Sequence, residues 1–195
     1  GRTTEWHEGH QKNEVSQRNK MFEKMITQEL KNANSELKTL RHERLAQLYK
    51  KDAEALSCLH AKCFAKPWSS ESFGALMENA NALAFFATRR TGPQSFHAFI
   101  LARVASDEAE ILTLGTVTAA RRAGLARALV FASATEACVM GAKQMFLEVA
   151  VNNHAAHSLY SGIGFWAAGK RAGYYRDAAD VSDAMVLRAD LPLVQ

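Results

Sequence analysis

The chain has 195 residues, 48% of them hydrophobic, which suits one domain of ordinary size with a real core plus an appendage. No apolar run reaches the roughly 18 residues that cross a membrane, and Cys58, Cys63 and Cys138 lack CxxC spacing, which fits reduced thiols of a cytoplasmic protein rather than a disulfide framework or zinc site. The net charge of +4 is unevenly placed: residues 1–51 hold 11 Lys/Arg against 7 Asp/Glu, while residues 52–195 hold 13 of each, so the body is no basic nucleic-acid surface.

Gly1 to Lys20 is polar, with Trp6 its only aromatic and Val15 its only aliphatic residue; it reads as flexible. Glu5, Glu8 and Glu14 argue against a mitochondrial presequence, and the apolar core of a signal peptide is missing. The chain opens on Gly rather than Met, which fits either a fragment or a natural start at Met21 or Met25. From Met21 to about Leu40 the apolar residues Met21, Met25, Leu30, Ala33, Leu37 and Leu40 follow roughly helical spacing, which predicts a solvated helix or one that meets a partner. The organisation expected is a basic extension over 1–43 and a folded domain over 44–195.

Within that domain Leu45 to Tyr49 reads as a strand, and Asp52 as the cap of a helix running to Phe64. Pro67-Trp68-Ser69 breaks that helix, and Ser69 or Ser70 starts another to about Glu78. Leu83 to Thr88 and Phe96 to Val104 read as strands joined by a turn at Gly92-Pro93, followed by a strand from Glu108 to Val117. A helix from Leu125 to Val139 ends at Gly141. Gln144 to Val151 is a strand, Asn153 to Ile163 a helix, and Phe165 to Ala168 and Asp183 to Arg188 the last strands. The alternation predicts an α/β fold, a mixed sheet flanked by helices.

Two segments carry chemistry. Arg121-Arg122-Ala123-Gly124-Leu125-Ala126 joins a strand to a helix, so it combines unpaired N–H groups, a helix-dipole end and two guanidinium groups where a phosphate could bind. Gly124 would let that phosphate approach the backbone. The spacing is neither that of a triphosphate loop nor of a dinucleotide fingerprint, and a helix start that merely packs closely would look the same. In the second segment, Phe146, Glu148 and Ala150 share one face of a strand. A lone Glu there is wet, paired or used. Asn153 is a good N-cap, and Asn153, Ala156 and Tyr160 share a helix face, where Tyr160 could equally serve packing. His154 and His157 stand three apart but have no third ligand at suitable spacing, so no metal is expected.

The R-R-x-G-x-A loop resembles the [Q/R]-x-x-G-x-[G/A] segment of the Gcn5-related N-acetyltransferases (GNAT). Leu147-Glu148-Val149, Asn153, Ala156, Leu159-Tyr160 and Gly164-Phe165 resemble the L-E-V…N-x-x-A-x-x-L-Y-x-x-x-G-F run of their ribosomal-protein alanine N-acetyltransferases, the RimI type. Cys63-Phe64-Ala65-Lys66-Pro67-Trp68-Ser69, Arg171-Ala172-Gly173-Tyr174-Tyr175 and Asp183-Ala184-Met185-Val186-Leu187 match further runs of that type in the correct order. The resemblance spans roughly Arg44 to Leu191. Two departures stand out: Leu114-Gly115-Thr116-Val117-Thr118 replaces the usual L-A-V-x-P, a change the backbone pairing there should tolerate, and Ala126 stands for the commoner second Gly.

The resemblance implies the GNAT fold with an N-terminal helical extension, and acetyl-CoA as co-substrate without a metal. It implies that Leu114, Gly115, Thr116, Arg122, Ala123, Gly124, Leu125, Ala126, Arg127 and Asn153 bind acetyl-CoA. Glu148 is then the general base and Tyr160 the general acid in direct transfer to an amine, with no covalent intermediate. The acceptor implied is the N-terminal alanine of a small-subunit ribosomal protein. Another protein amine, lysine included, is the alternative acceptor, and a non-catalytic acetyl-CoA-binding module the alternative class, though such a module needs neither Glu148 nor Tyr160. The basic front segment is a candidate for ribosome or protein contact; neither nucleic acid nor membrane is an expected direct partner.

Overall fold

The computed structural model describes residues 43–48, 50–89, 96–177 and 180–194. The chain divides into two compact units, Gly1–Thr39 and Leu40–Gln195; the first, with the expected front helix, lies outside the described residues, as does the Gly92-Pro93 turn. The second unit runs β1 (Glu43–Gln47), α1 (Ala53–Ala61), α2 (Ser70–Met77), β2 (Ala82–Arg89), β3 (Ala98–Ala105), β4 (Glu108–Thr116), α3 (Leu125–Val139), β5 (Gln144–Ala150), α4 (His154–Ser161), β6 (Trp166–Asp177) and β7 (Asp180–Asp190). The strands form one sheet in the order β1-β2-β3-β4-β5-β7-β6. Every neighbouring pair is antiparallel except β4 and β5. A parallel pair needs a long crossover, and α3 supplies it. The mixed sheet flanked by helices is the expected architecture.

Alternation of side chains splits the core in two. Ile100 and Ala102 of β3, Met145, Leu147 and Val149 of β5 and Leu187 of β7 pack with Leu125, Leu129 and Val130 of α3. Phe99 and Leu101 of β3 face the other way, onto Leu56 and Leu59 of α1 and Phe73 of α2. Both faces are therefore covered, as burial of a mixed central sheet requires.

Several boundaries move from the sequence expectation. The first strand lies two residues earlier. Asp52 occupies the N-cap of α1, yet its side chain makes no capping bond; a 3-10 turn over Lys50–Asp52 leads into the helix instead. Ser69 does cap α2, accepting from Ser72 N–H at 3.1 Å. α1 stops at Ala61, and the N–H groups of Cys63 and Phe64 both donate to the His60 carbonyl at 2.9 Å. β6 is far longer than Phe165 to Ala168. Its glycines look like breakers, but β7 pairs alongside as far as Asp177 and offers backbone partners that outweigh local propensity.

Candidate active site

The site begins where two strands part. β4 and β5 pair from Glu108↔Gln144 to Ile111↔Leu147 and then stop, although β4 continues to Thr116 and β5 to Ala150. The cause lies one strand away. Against β3 the register passes from Leu101↔Thr113 to Ala102↔Ile111, so Leu112 is an extra residue in β4. Such a bulge bends its strand and increases its twist. It falls immediately after the last β4–β5 rung, so the strands splay and the polar backbone edge of the β4 tip faces a cleft.

That cleft has a volume of about 570 Å³ and is lined by the β4 tip, the loop before α3, the start of α3, and α4. Of the residues expected to bind acetyl-CoA, Leu114, Gly115, Thr116, Arg122, Gly124, Leu125, Ala126, Arg127 and Asn153 line it, and so does Tyr160. Ala123 does not: it packs against the α3-side core. Arg121, the other guanidinium expected beside the phosphate, lines the cleft as well, and so does the Cys63-Phe64 pair, which had not been expected there although it belongs to a matched motif. Burial pushes the Cys63 thiol up, against the pull of Arg121 and Lys62.

The loop has the shape an anion needs. Arg122 at φ +62° and Gly124 at φ +83° both adopt left-handed backbone. Gly124 is the N-cap of α3 and offers no side-chain cap, so the helix's first N–H groups and its positive dipole end face the cleft. Arg121 Nε donates to the Thr116 carbonyl at 3.4 Å, tying the loop to β4. Arg127 is engaged elsewhere: Nη1 donates to the Gly162 carbonyl at 2.9 Å, and its guanidinium lies over Phe131, 4.9 Å from the ring centre. Its position braces α3 against the end of α4.

Glu148 stands one residue beyond the last β4–β5 rung, on the sheet face opposite Leu147 and Val149. Its side chain is 18% exposed. Arg171 Nη1 donates to Oε1, whereas Oε2 is buried with no hydrogen-bond partner. Tyr160 is buried at the end of α4, edge-on to Phe165 with ring centres 5.3 Å apart. Two polar contacts place that helix. Asn153 Oδ1 accepts from Ala156 N–H at 3.1 Å, and a ring nitrogen of His157 meets the Ala150 carbonyl at 3.1 Å, joining α4 to the tip of β5. His157 thus has a structural partner, and no group of His, Cys, Asp or Glu able to hold a metal occurs among the described residues. None of the three cysteines is in a disulfide. Among the described residues no helix is long and apolar enough to cross a membrane.

Residues 53–165 match the acetyltransferase (GNAT) family model, and residues 1–61 match a model described as cilia- and flagella-associated protein 141. Over 143 residues the chain is 28% identical to the [ribosomal protein bS18]-alanine N-acetyltransferase of Escherichia coli K12, covering 73% of this chain and 94% of that one. The crystal structure of the ribosomal-protein-S18-alanine N-acetyltransferase from Escherichia coli superposes with a TM-score of 0.69 at 27% identity, over 78% of this chain and 96% of that one. Arabidopsis thaliana NAA60, solved in complex with acetyl-CoA, shares the fold with a TM-score of 0.68 at 20% identity, over 76% of this chain and 98% of that one. A split parallel pair, a left-handed loop before α3 and a matched family model over 53–165 make this chain a member of the acetyltransferase (GNAT) family and an acetyl-CoA-dependent N-acetyltransferase.

Proposed function

We propose that this enzyme acetylates the α-amine of a protein N-terminus, with the N-terminal alanine of a small-subunit ribosomal protein as its acceptor. The observation that carries the reading is the buried, unpartnered Oε2 of Glu148 just past the point where β4 and β5 separate. A buried carboxylate oxygen without a partner is costly unless something binds there. An amine, or a water in contact with one, meets that need.

Acetyl-CoA supplies an acetyl group activated as a thioester. The residues at the loop before α3, with the Gly124 backbone and the Arg122 guanidinium, would hold its pyrophosphate; the edge of Leu114, Gly115 and Thr116 and the side chain of Asn153 would hold its pantetheine arm. The amine nitrogen attacks the carbonyl carbon, the new C–N bond forms and the C–S bond breaks. Glu148 takes the proton lost by nitrogen, and Tyr160 gives a proton to the departing sulfur. Glu148 is not among the residues lining the cleft, so in this scheme the amine reaches the thioester from the β5 side, and holding the two reactants in line contributes at least as much as the proton transfers.

The choice of amine rests on magnitudes. An α-amine has a pKa near ~8 and a lysine side chain near ~10.4. The gap of roughly 2.5 units corresponds to about 3.4 kcal/mol of extra work in proton removal. One carboxylate suits the easier amine, and the similarity to bS18-alanine N-acetyltransferases supports the ribosomal acceptor. The reading places the enzyme in the cytoplasm. Residues 1–43 are then an extension that is not part of the catalytic domain, and the match of residues 1–61 to a cilia- and flagella-associated family supports protein docking. The test is competition between a peptide beginning with free Ala and the same peptide blocked at its terminus and offering Lys. Faster acetylation of the free Ala peptide is expected; preference for the Lys peptide would overturn the assignment.

A further inference from the structure

We propose that Arg171 is a positioning residue for acetyl transfer: it holds one oxygen of the Glu148 carboxylate so that the other stays available to the acceptor amine. The proposal rests on Glu148 acting as the base. It comes from the register of three neighbouring strands. Arg171 of β6 stands opposite Ala184 of β7, and Ala184 stands opposite Ala150 of β5. Glu148 lies two residues from Ala150 along β5, hence on the same sheet face. Arg171 must therefore reach across the whole width of β7 to meet Glu148. Ala184, with a single methyl group and no exposure, leaves the room to do so. The adjacent Lys170 pairs with Asp183 at 2.7 Å, so two successive β6 residues anchor this strand to the elements beside it.

The consequence is a division of labour within one carboxylate. Oε1 receives a charge-assisted bond from Nη1, and Oε2 is left buried without a partner. A glutamate has three side-chain torsions, and an unheld carboxylate would populate several of them. Pinning Oε1 removes that freedom before the acceptor arrives. A guanidinium suits this better than an ammonium, because its rigid plane holds the donating N–H in one direction, whereas an ammonium rotates freely about its stem. Arg171 touches neither reacting atom in this scheme; it acts through Glu148.

The experiment compares full-length wild type, Arg171→Met, Arg171→Lys, Arg171→Ala and Glu148→Gln. For Arg171→Met, kcat at saturation of both substrates should fall about tenfold or more, with acetyl-CoA affinity by calorimetry and the melting temperature close to wild type. Arg171→Lys should recover part of the loss, and millimolar guanidinium ion should partly rescue Arg171→Ala. Arg171→Met with kcat within twofold of wild type, beside an inactive Glu148→Gln, would overturn the proposal and leave the base intact. Higher kcat/KM for the acceptor in Arg171→Met would also overturn it, because the arginine would then be an obstruction. Equal losses of acetyl-CoA affinity and of folding would reduce Arg171 to a structural role. Full turnover in Glu148→Gln would remove the base, and the proposal with it.

Discussion

A β-carbon at Gly115 would stand 2.5 Å from Cε1 of Phe99, 2.7 Å from its Cζ and 3.1 Å from the Cβ of Cys63. The glycine that departs from the family's usual residue is thus matched to a fully buried phenylalanine on the neighbouring strand. Backbone pairing alone would tolerate this change; the Phe99 ring adds a packing reason for it. Gly115→Ala should lower stability by about 1–3 kcal/mol, the usual cost of overpacking a close-packed core. Because Gly115 also lines the cleft, acetyl-CoA affinity should fall with it. Urea denaturation and calorimetry on the same variant check both. Unchanged values would mean that the Phe99 ring has another rotamer at little cost.

Gly124 makes a different demand, on conformation. At φ +83° an alanine is strained by roughly 1–2 kcal/mol, and a β-branched residue by more. Gly124→Val should therefore weaken acetyl-CoA binding strongly, while a pantetheine fragment without the pyrophosphate should bind nearly as it does to wild type. Parallel titrations with the two ligands separate the loop from the rest of the cleft. Equal weakening of both would point to general unfolding of the α3 start.

Asn153 has two jobs in the proposed scheme, and one of them is measurable without ligand. Its Oδ1 caps α4 through Ala156 N–H, and removing an N-cap side chain costs about 1 kcal/mol. Asn153→Ala should lose that much in denaturation, and its turnover should drop further because Tyr160 sits on the same short helix. Asn153→Ser, which can still cap, should regain most of the stability but not the full rate if Asn153 also contacts pantetheine. Full turnover in Asn153→Ser would assign it to capping alone.

The helices and inner strands were legible because their periodicity, caps and breakers agree: α3 begins after Gly124 and ends before Gly141, as the spacing predicts. The loop, Glu148 and Tyr160 were legible as motifs. What the sequence could not display was anything set by pairing. The bulge at Leu112 has no local signature, since it depends on β3 being alongside, and without it the β4–β5 split does not follow. The Glu148–Arg171 pair joins residues 23 apart, linked only by the order β5-β7-β6. Ala123 and Arg127 sit within the binding motif, yet Ala123 packs on the core from the loop before α3 and Arg127 bonds the Gly162 carbonyl, since local backbone direction and packing, not motif membership, decide where a side chain lies.

Residues 1–43 carry none of the matched acetyltransferase motifs, and the family match begins at residue 53. A chain starting at His42 should therefore fold and acetylate a short Ala-terminated peptide at a rate within a few-fold of the full chain. Circular dichroism establishes folding, and a radiolabel assay the rate. A folded but inactive truncation would mean that the front segment builds part of the active site.

His60 makes the domain sensitive to acid at one buried point. It is 2% exposed, with its ring 4.3 Å from that of Phe64, 5.4 Å from those of Trp68 and Phe73, and 5.6 Å from that of Phe99. Nδ1 accepts the Trp68 N–H at 3.2 Å, so a proton on Nδ1 would displace the bond that holds the loop between α1 and α2. Burial in this aromatic cluster lowers the imidazole pKa from its ordinary value of 6.5. The unfolded chain then binds a proton first as pH falls through that ordinary value, and stability drops until the folded-state value is reached. Above the ordinary value the ring is neutral in both states and the full stability is present. The urea midpoint should therefore fall between about pH 7.5 and about pH 5.5. His60→Phe keeps a ring in the cluster but leaves the Trp68 N–H without its acceptor, which should cost about 1–3 kcal/mol at neutral pH. The same variant should lose less than wild type on acidification, because the titrating group is gone. Equal acid losses in the two proteins would show that the pH dependence arises elsewhere in the domain.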